Sequence, residues 1–239
     1  MKAQTVTDIG KTRLINQDYV YFSLTEVGCL PNLFIVADGM GGHKAGDMAS
    51  RYTVESFVSL VQDSSEKDPV SVINNTCFKV NHMLREKAAE NIDYEGMGTT
   101  LVVASISDNV LRVANIGDSR LYIINDDITQ ITRDHSWVEE MVSIGEINRE
   151  QARTHAKKNI ITRAIGGSDD VEPDMFSVDL QEGDKILMCS DGLTNMVEDS
   201  EILRVVKNYP DIKEAAELLC KEANDNGGKD NISVMLIEP

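Results

Sequence analysis

This sequence contains no run approaching the roughly 18 uninterrupted apolar residues that a membrane-crossing helix needs, so no membrane span is expected. Its first residues, MKAQTVTDIG, lack the apolar stretch of a secretory leader, and a cytoplasmic location is the expectation. Cysteine is scarce. Cys29, Cys77, Cys189 and Cys220 form no Cys-x-x-Cys pair, which argues against a zinc site or a disulfide framework and for buried reduced thiols. With 5 Pro, 16 Gly and 41% hydrophobic residues, the composition is neither fibrous nor disordered, and 239 residues suit one large domain. Positive charge is in deficit: Lys+Arg 23 against Asp+Glu 40 gives a formal charge of −17. Such a field repels a nucleic-acid backbone and favours divalent cations, although an acidic surface more often serves solubility alone.

Several hydrolytic chemistries are missing too. No cysteine has an arginine six residues on, since Ile35, Met83, Asn195 and Asn226 stand there, which removes a cysteine-nucleophile phosphatase. No Asp-x-Asp occurs, against an aspartyl-phosphate intermediate. Gly-x-Ser-x-Gly and the Walker P-loop are absent as well.

Apolar runs at Tyr19–Leu24 and Leu33–Ala37 read as strands, the second ending in Asp38-Gly39. From Gly46 the spacing of Val54, Phe57, Val58 and Val61 marks an amphipathic helix. A second helix starts with Asp68 as N-cap and Pro69 in its first turn. Thr99–Ile106, Val110–Ile116 and Arg120–Ile124 are expected to form a meander with turns at Asp108-Asn109 and Gly117-Asp118, the third strand pairing onward with Ile128–Thr132. Two short helical patterns between Ser136 and Gly167 suggest a surface insertion. Lys185–Ser190 is a strand ending in another Asp-Gly, followed by helices near Ser200–Lys207 and Ile212–Ala223 and a last strand at Ile232–Ile237. The mixed order implies an α+β protein with helices covering antiparallel sheets.

Four aspartates stand at strand ends or strand starts: Asp38, Asp118, Asp191 and Asp230. A sheet can gather such positions into one cluster, and clustered carboxylates stay ionised only around a positive charge. Mg²⁺ or Mn²⁺, hard cations with oxygen ligands, suit that role. Any single Asp-Gly is a routine turn dipeptide, so the pattern as a whole carries the signal.

The motifs in order are Arg13-Leu-Ile-Asn-Gln-Asp18, Asp38-Gly-Met-Gly-Gly42, Gly98-Thr-Thr100, Gly117-Asp-Ser-Arg120, Asp134-His-Ser136, Ser190-Asp-Gly192 and Asp230-Asn231. Together they resemble the metal-dependent (PPM, type 2C) serine/threonine protein phosphatases, specifically the compact bacterial branch, from end to end. The resemblance implies a four-layer α-β-β-α sandwich, two central antiparallel sheets flanked by helices, as a single domain over 1–239 with a flap at about 145–164. It implies two tightly bound Mn²⁺ or Mg²⁺ ions and a weaker third. Asp38 would bridge the pair with the Gly39 carbonyl on one ion; Asp191 and Asp230 would hold the other. Asp18 would support the second metal directly or through water, Asp118 would join Asp191 at the third ion, and Arg13 would grip the substrate phosphate.

The implied substrates are phosphorylated proteins, targets of a cognate serine/threonine kinase, hydrolysed by a metal-activated water on a monomeric enzyme. Two rivals share the fold: a binding module that has lost catalysis, against which every ligand position is intact, and a phosphatase dedicated to one regulatory partner. Of the histidines, His82 is expected on a solvent face and His155 exposed in the flap. His135 is expected to pack or hydrogen-bond. Where eukaryotic members carry a histidine general acid, this chain has Met40, which donates no proton; with His43 expected to be a surface or capping residue, a metal-bound water is the expected acid.

Overall fold

The computed structural model describes residues 1–41 and 45–239; His43 and Gly42 lie outside the described residues. The strands in chain order are β1 (Lys2–Asp8), β2 (Asp18–Ser23), β3 (Leu33–Met40), β4 (Gly98–Thr99), β5 (Leu101–Ser107), β6 (Val110–Ile116), β7 (Arg120–Ile124), β8 (Ile128–Gln130), β9 (Asp174–Asp179), β10 (Lys185–Cys189) and β11 (Ile232–Glu238). The helices are α1 (Ala45–Gln62), α2 (Pro69–Ala89), α3 (Trp137–Ser143), α4 (Arg149–Thr154), α5 (Asp191–Thr194), α6 (Asp199–Asn208) and α7 (Ile212–Asp225).

One antiparallel sheet runs β2-β3-β5-β6-β9, with β4 attached to β3, and the other runs β1-β11-β10-β7-β8. Strand alternation explains how they stack. On β3, Phe34 and Val36 point to a core shared with Met188 and Met235 of the other sheet, whereas Leu33, Ile35 and Ala37 pack under Phe57 and Val61 of α1 and Ile73 of α2. On the far side, Leu187, Val234 and Leu236 lie under Ile202 of α6 and Leu219 of α7. Strands buried on both faces read as continuous apolar runs, as β3 and β11 do. The expected four-layer sandwich is the observed one.

Local signals were mostly accurate. Asp68 caps α2, its side chain accepting from the Ser71 N–H, with Pro69 at the first position. Asp108 and Asn109 take φ of 53° and 60°, the left-handed pair that closes the β5–β6 hairpin. The expected meander is corrected: β6 pairs with β9, and β7 pairs with β10 in the other sheet. Gly117, at φ 106°, turns the chain from one sheet to the other, and a strand's apolar pattern does not specify its partner. β1, β9 and α5 went unanticipated, the strands because their faces are half polar. Cys77, Cys189 and Cys220 are buried free thiols, and Cys29 is half-buried. Among the described residues no helix is long and apolar enough to cross a membrane.

The two Asp-Gly glycines are required by packing. A Cβ on Gly192 would lie 1.9 Å from the Asn231 carbonyl oxygen, and one on Gly39 would lie 2.0 Å from that of Gly46. Both obstacles are backbone, which cannot rotate away. Gly192→Ala is expected to destabilise the protein by at least about 1–3 kcal/mol, seen in thermal denaturation; an unchanged melting temperature would contradict this close approach.

Candidate metal centre

The β2–β3 register places Asp18 directly opposite Asp38. Two like charges facing across a ladder repel, an arrangement that is destabilising unless a cation intervenes. The other carboxylates arrive from the second sheet. Asp191 follows β10, Asp230 precedes β11, and Asp118 lies on the loop between β6 and β7. Because Arg120 of β7 pairs with Cys189 at the end of β10, and Ser190 N–H donates to the Ser233 carbonyl, these termini share one edge. Asp18, Asp38, Asp118, Asp191 and Asp230, distant in sequence, therefore gather at one end of the sandwich.

Hydroxyl and amide groups hold them there. Ser190 Oγ donates to Asp18 Oδ2 at 2.7 Å, joining the end of one sheet to the start of the other. The Asp38 N–H donates to Thr100 Oγ1 at 2.9 Å, and that hydroxyl lies 2.7 Å from Ser119 Oγ, beside Asp118. Asn195 Nδ2 donates to Asp191 Oδ2 at 2.8 Å across one helical turn, and Lys158 Nζ donates to Asn195 Oδ1 at 2.8 Å. Sequence reading assigned no role to Ser190, Asn195 or Lys158; for Asn195 the signal was its i,i+4 spacing from Asp191.

The electrostatics point to missing positive charge. Burial, then the charges of Asp18, Asp191, Asp118 and Asp230, pushes the Asp38 carboxyl well above its ordinary range. Burial and the charges of Asp191 and Asp134 do the same to Asp118. Burial raises Asp18 to about 7 despite the Ser190 and Ser233 hydrogen bonds, and raises Asp191 to about 6 with help from Asp230. Asp18 Oδ1, Asp118 Oδ1 and Asp191 Oδ1 are buried and unpaired among the described residues. Unpaired buried carboxylate oxygens in an all-oxygen set fit Mg²⁺ or Mn²⁺. Among the described residues no three acidic, imidazole or thiol side chains close round one point as a ready-made cage. That suits hard ions that take one or two carboxylates each and complete their shell with water and backbone oxygens.

Arg13 projects beside the cluster, its Nη2 donating to Asp230 Oδ2 at 2.8 Å, with nearly half of its side chain exposed. A cavity of about 610 Å³ opens next to Asp118 and Asp191, lined also by Arg120, Arg153, Lys158 and Glu198. Its outer wall is α4, inside the stretch expected as a flap. His135 is buried, and its Nδ1 accepts from the Gly117 N–H at 3.1 Å. The proton therefore sits on Nε2, 3.1 Å from Asp174 Oδ2, and burial lowers the imidazole pKa. That is the expected hydrogen-bonding role, bracing the turn that carries Asp118. His82 is exposed, as expected. His155 departs from expectation: it is half-buried against Trp137, ring centroids 5.0 Å apart.

Two antiparallel sheets, flanking helices and a rim of five carboxylates match the architecture that the resemblance to the metal-dependent phosphatases implies. The sequence profile described as protein phosphatase 2C matches residues 10–236, and the chain belongs to that family. It is 39% identical over 248 residues to the serine/threonine phosphatase stp of Listeria innocua, covering 100% of this chain and 96% of the relative. The crystal structure of serine/threonine phosphatase Stp1 from Staphylococcus aureus superposes with a TM-score of 0.92 at 37% identity, covering 100% of this chain and 95% of that one. The catalytic domain of the serine/threonine protein phosphatase PstP, crystallised with 2 manganese ions, superposes with a TM-score of 0.86 at 34% identity, covering 98% and 96%.

The raised carboxylates make a stability prediction. Asp18 at about 7 and Asp191 at about 6 bind protons more tightly in the fold than in the unfolded chain, where aspartate titrates near about 3.9. Their contribution is present at low pH and lost as pH rises through about 4 to 7. Chelator-treated protein should melt higher at pH 5.5 than at pH 8, and saturating Mn²⁺ should close the gap by raising the pH 8 value. Scanning fluorimetry checks this; a chelated melting temperature that does not fall with pH would mean the carboxylates are already compensated.

Proposed function

We propose that this chain hydrolyses phosphoserine and phosphothreonine in proteins, using divalent ions held by the aspartate rim. The observation that carries the reading is the cross-strand Asp18–Asp38 pair ringed by buried, unpaired carboxylate oxygens, set beside a half-exposed Arg13 that pairs with Asp230. Bound there, Mn²⁺ or Mg²⁺ supplies an activated water and neutralises the phosphoryl oxygens.

The protein's own groups do the rest. Asp38, with the Gly39 carbonyl beside it, would hold two ions, and Asp191 and Asp230 would hold the second with support from Asp18. Asp118 with Asp191 would hold a weaker third. Ser190 and Asn195 each occupy one oxygen of Asp18 and Asp191 and leave the other buried and unpaired among the described residues. Arg13 offers its planar fork to two phosphate oxygens. Met40, at the end of β3, donates no proton, and a water bound in the site would protonate the leaving alkoxide. The cavity walled by α4 receives the chain flanking the phosphorylated residue, and residues 145–164 act as the flap. Phosphorylated targets of a serine/threonine kinase, met in the cytoplasm by a monomer, fit these features best.

Turnover of a phosphothreonine peptide should vanish in chelator and return with Mn²⁺. Asp38→Asn should lower kcat at least about a hundredfold while leaving a folded protein. Steady-state kinetics with circular dichroism test both, and undiminished turnover by metal-stripped protein would overturn the reading. Comparing phosphoproteomes with and without the gene identifies the targets.

A further inference from the structure

One buried side chain grips both ends of the loop that carries Arg13. Asn231, 3% exposed, accepts through Oδ1 from the Gln17 N–H at 2.9 Å. Through Nδ2 it donates to the carbonyls of Ile9 at 2.9 Å and Ile15 at 3.0 Å. The neighbouring C-terminal segment completes the attachment: the Lys11 and Thr12 N–H groups donate to the Gly228 carbonyl at 2.7 and 3.2 Å. Gly10, at φ 78°, lies so close to the Asp230 backbone that a Cβ there would fall 2.2 Å from its carbonyl oxygen.

Other polar ties sit mostly at the loop's two ends: Asn16 Nδ2 donates to Thr7 Oγ1 at 2.8 Å, the Gln17 carbonyl accepts from Gly39 N–H and Ser50 Oγ, and Thr12 Oγ1 donates to the Gly228 carbonyl at 2.9 Å. Leu14 is 91% exposed, and Ile9 and Ile15 are 37% and 38% exposed, so apolar burial contributes little to the loop's position. The residue preceding Asn231 takes the arginine itself: Asp230 Oδ2 accepts from Arg13 Nη2, and Asp230 Oδ1 accepts from the Asn231 N–H, both at 2.8 Å. One dipeptide thus orders the backbone beneath Arg13 and the guanidinium above it.

We propose that Asn231 is a positioning residue for phosphate recognition, its side-chain amide holding the Ile9–Gln17 loop so that Arg13 meets the substrate already aimed. This rests on the reading of Arg13 as the phosphate grip. Asn231 touches no substrate; it acts by removing the ordering cost that a free loop would impose on each binding event. The requirement is for an amide specifically. A carboxylate keeps the acceptor for Gln17 but turns both donors into repulsion against the Ile9 and Ile15 carbonyls, and a serine is too short to span all three partners.

The test is a double-mutant cycle. Asn231→Ser and Asn231→Asp are made alone and with Arg13→Ala, and KM and kcat are measured on a phosphothreonine peptide in saturating Mn²⁺, with the Mn²⁺ count taken by calorimetry. Each Asn231 variant should raise KM roughly tenfold, a loss on the scale of one charge-assisted hydrogen bond, with kcat changed far less and the ion count intact. In the Arg13→Ala background neither should raise KM further. The same fold-increase in both backgrounds would overturn the proposal, as would loss of a bound ion or a collapse confined to kcat, either of which would place Asn231's effect on Asp230. Should Asn231→Ser prove unfolded, Asn231→Asp decides by the same criteria, and unfolding of both variants would make Asn231 a determinant of the fold and overturn the proposal. An Arg13→Ala protein with unchanged KM would remove the phosphate grip itself, a failure distinct from additivity in the cycle.

Discussion

Five aspartates drawn to one end of two stacked sheets repel one another, and much of the surrounding architecture is arranged to tolerate that repulsion until cations relieve it. The burden is concentrated by burial: Asp18 and Asp118 are each 7% exposed, and solvent cannot screen them from their neighbours. In the metal-free chain the repulsion is eased by protonation, so metal affinity and proton affinity compete for the same oxygens. The fold supplies the opposing stability from its three apolar layers, with the sandwich interior between Phe34, Val36, Met188 and Met235 lying close behind the rim.

Holding the cluster in register takes contacts that cross between the sheets. Ser190 ties the end of β10 to Asp18, the Thr100–Ser119 hydroxyl pair ties β3 to the Asp118 loop, and Asn231 ties the start of β11 to the Arg13 loop. Each is short, buried and polar. A buried polar network of this kind is specific because leaving any member unpaired is costly. The two halves of the site come from different sheets, so its geometry depends on how the sheets pack.

The side of the site away from Arg13 is built differently. Lys158 reaches from the insertion to Asn195 and through it to Asp191, and Arg153 pairs with Glu198 at 3.6 Å across the cavity mouth. These contacts use longer side chains and are more exposed than the cross-sheet ties. Trp137, with His155 against its ring and Lys157 over its face, anchors the base of that wall.

Much of this protein could be read from its letters. The Asp68-Pro69 helix start, the Asp108-Asn109 hairpin, the α+β class and the candidate residues Arg13, Asp18, Asp38, Asp118, Asp191 and Asp230 all follow from local chemistry or from ordered motifs. These are short-range signals: caps, turns and apolar periods depend on neighbours along the chain. Strand partners do not. That β6 turns away from β7 at Gly117, that Asp18 faces Asp38, and that Asn195, Ser190 and Asn231 orient groups carried by other segments are decided by which apolar faces bury one another. The sequence by itself determined which carboxylates and which arginine are candidates for a metal and phosphate site, because their chemistry travels with the residue. Only the tertiary structure decided which oxygens are left unpaired and which carboxylate Arg13 pairs with, because both depend on packing between segments as far apart as Gln17 and Asn231.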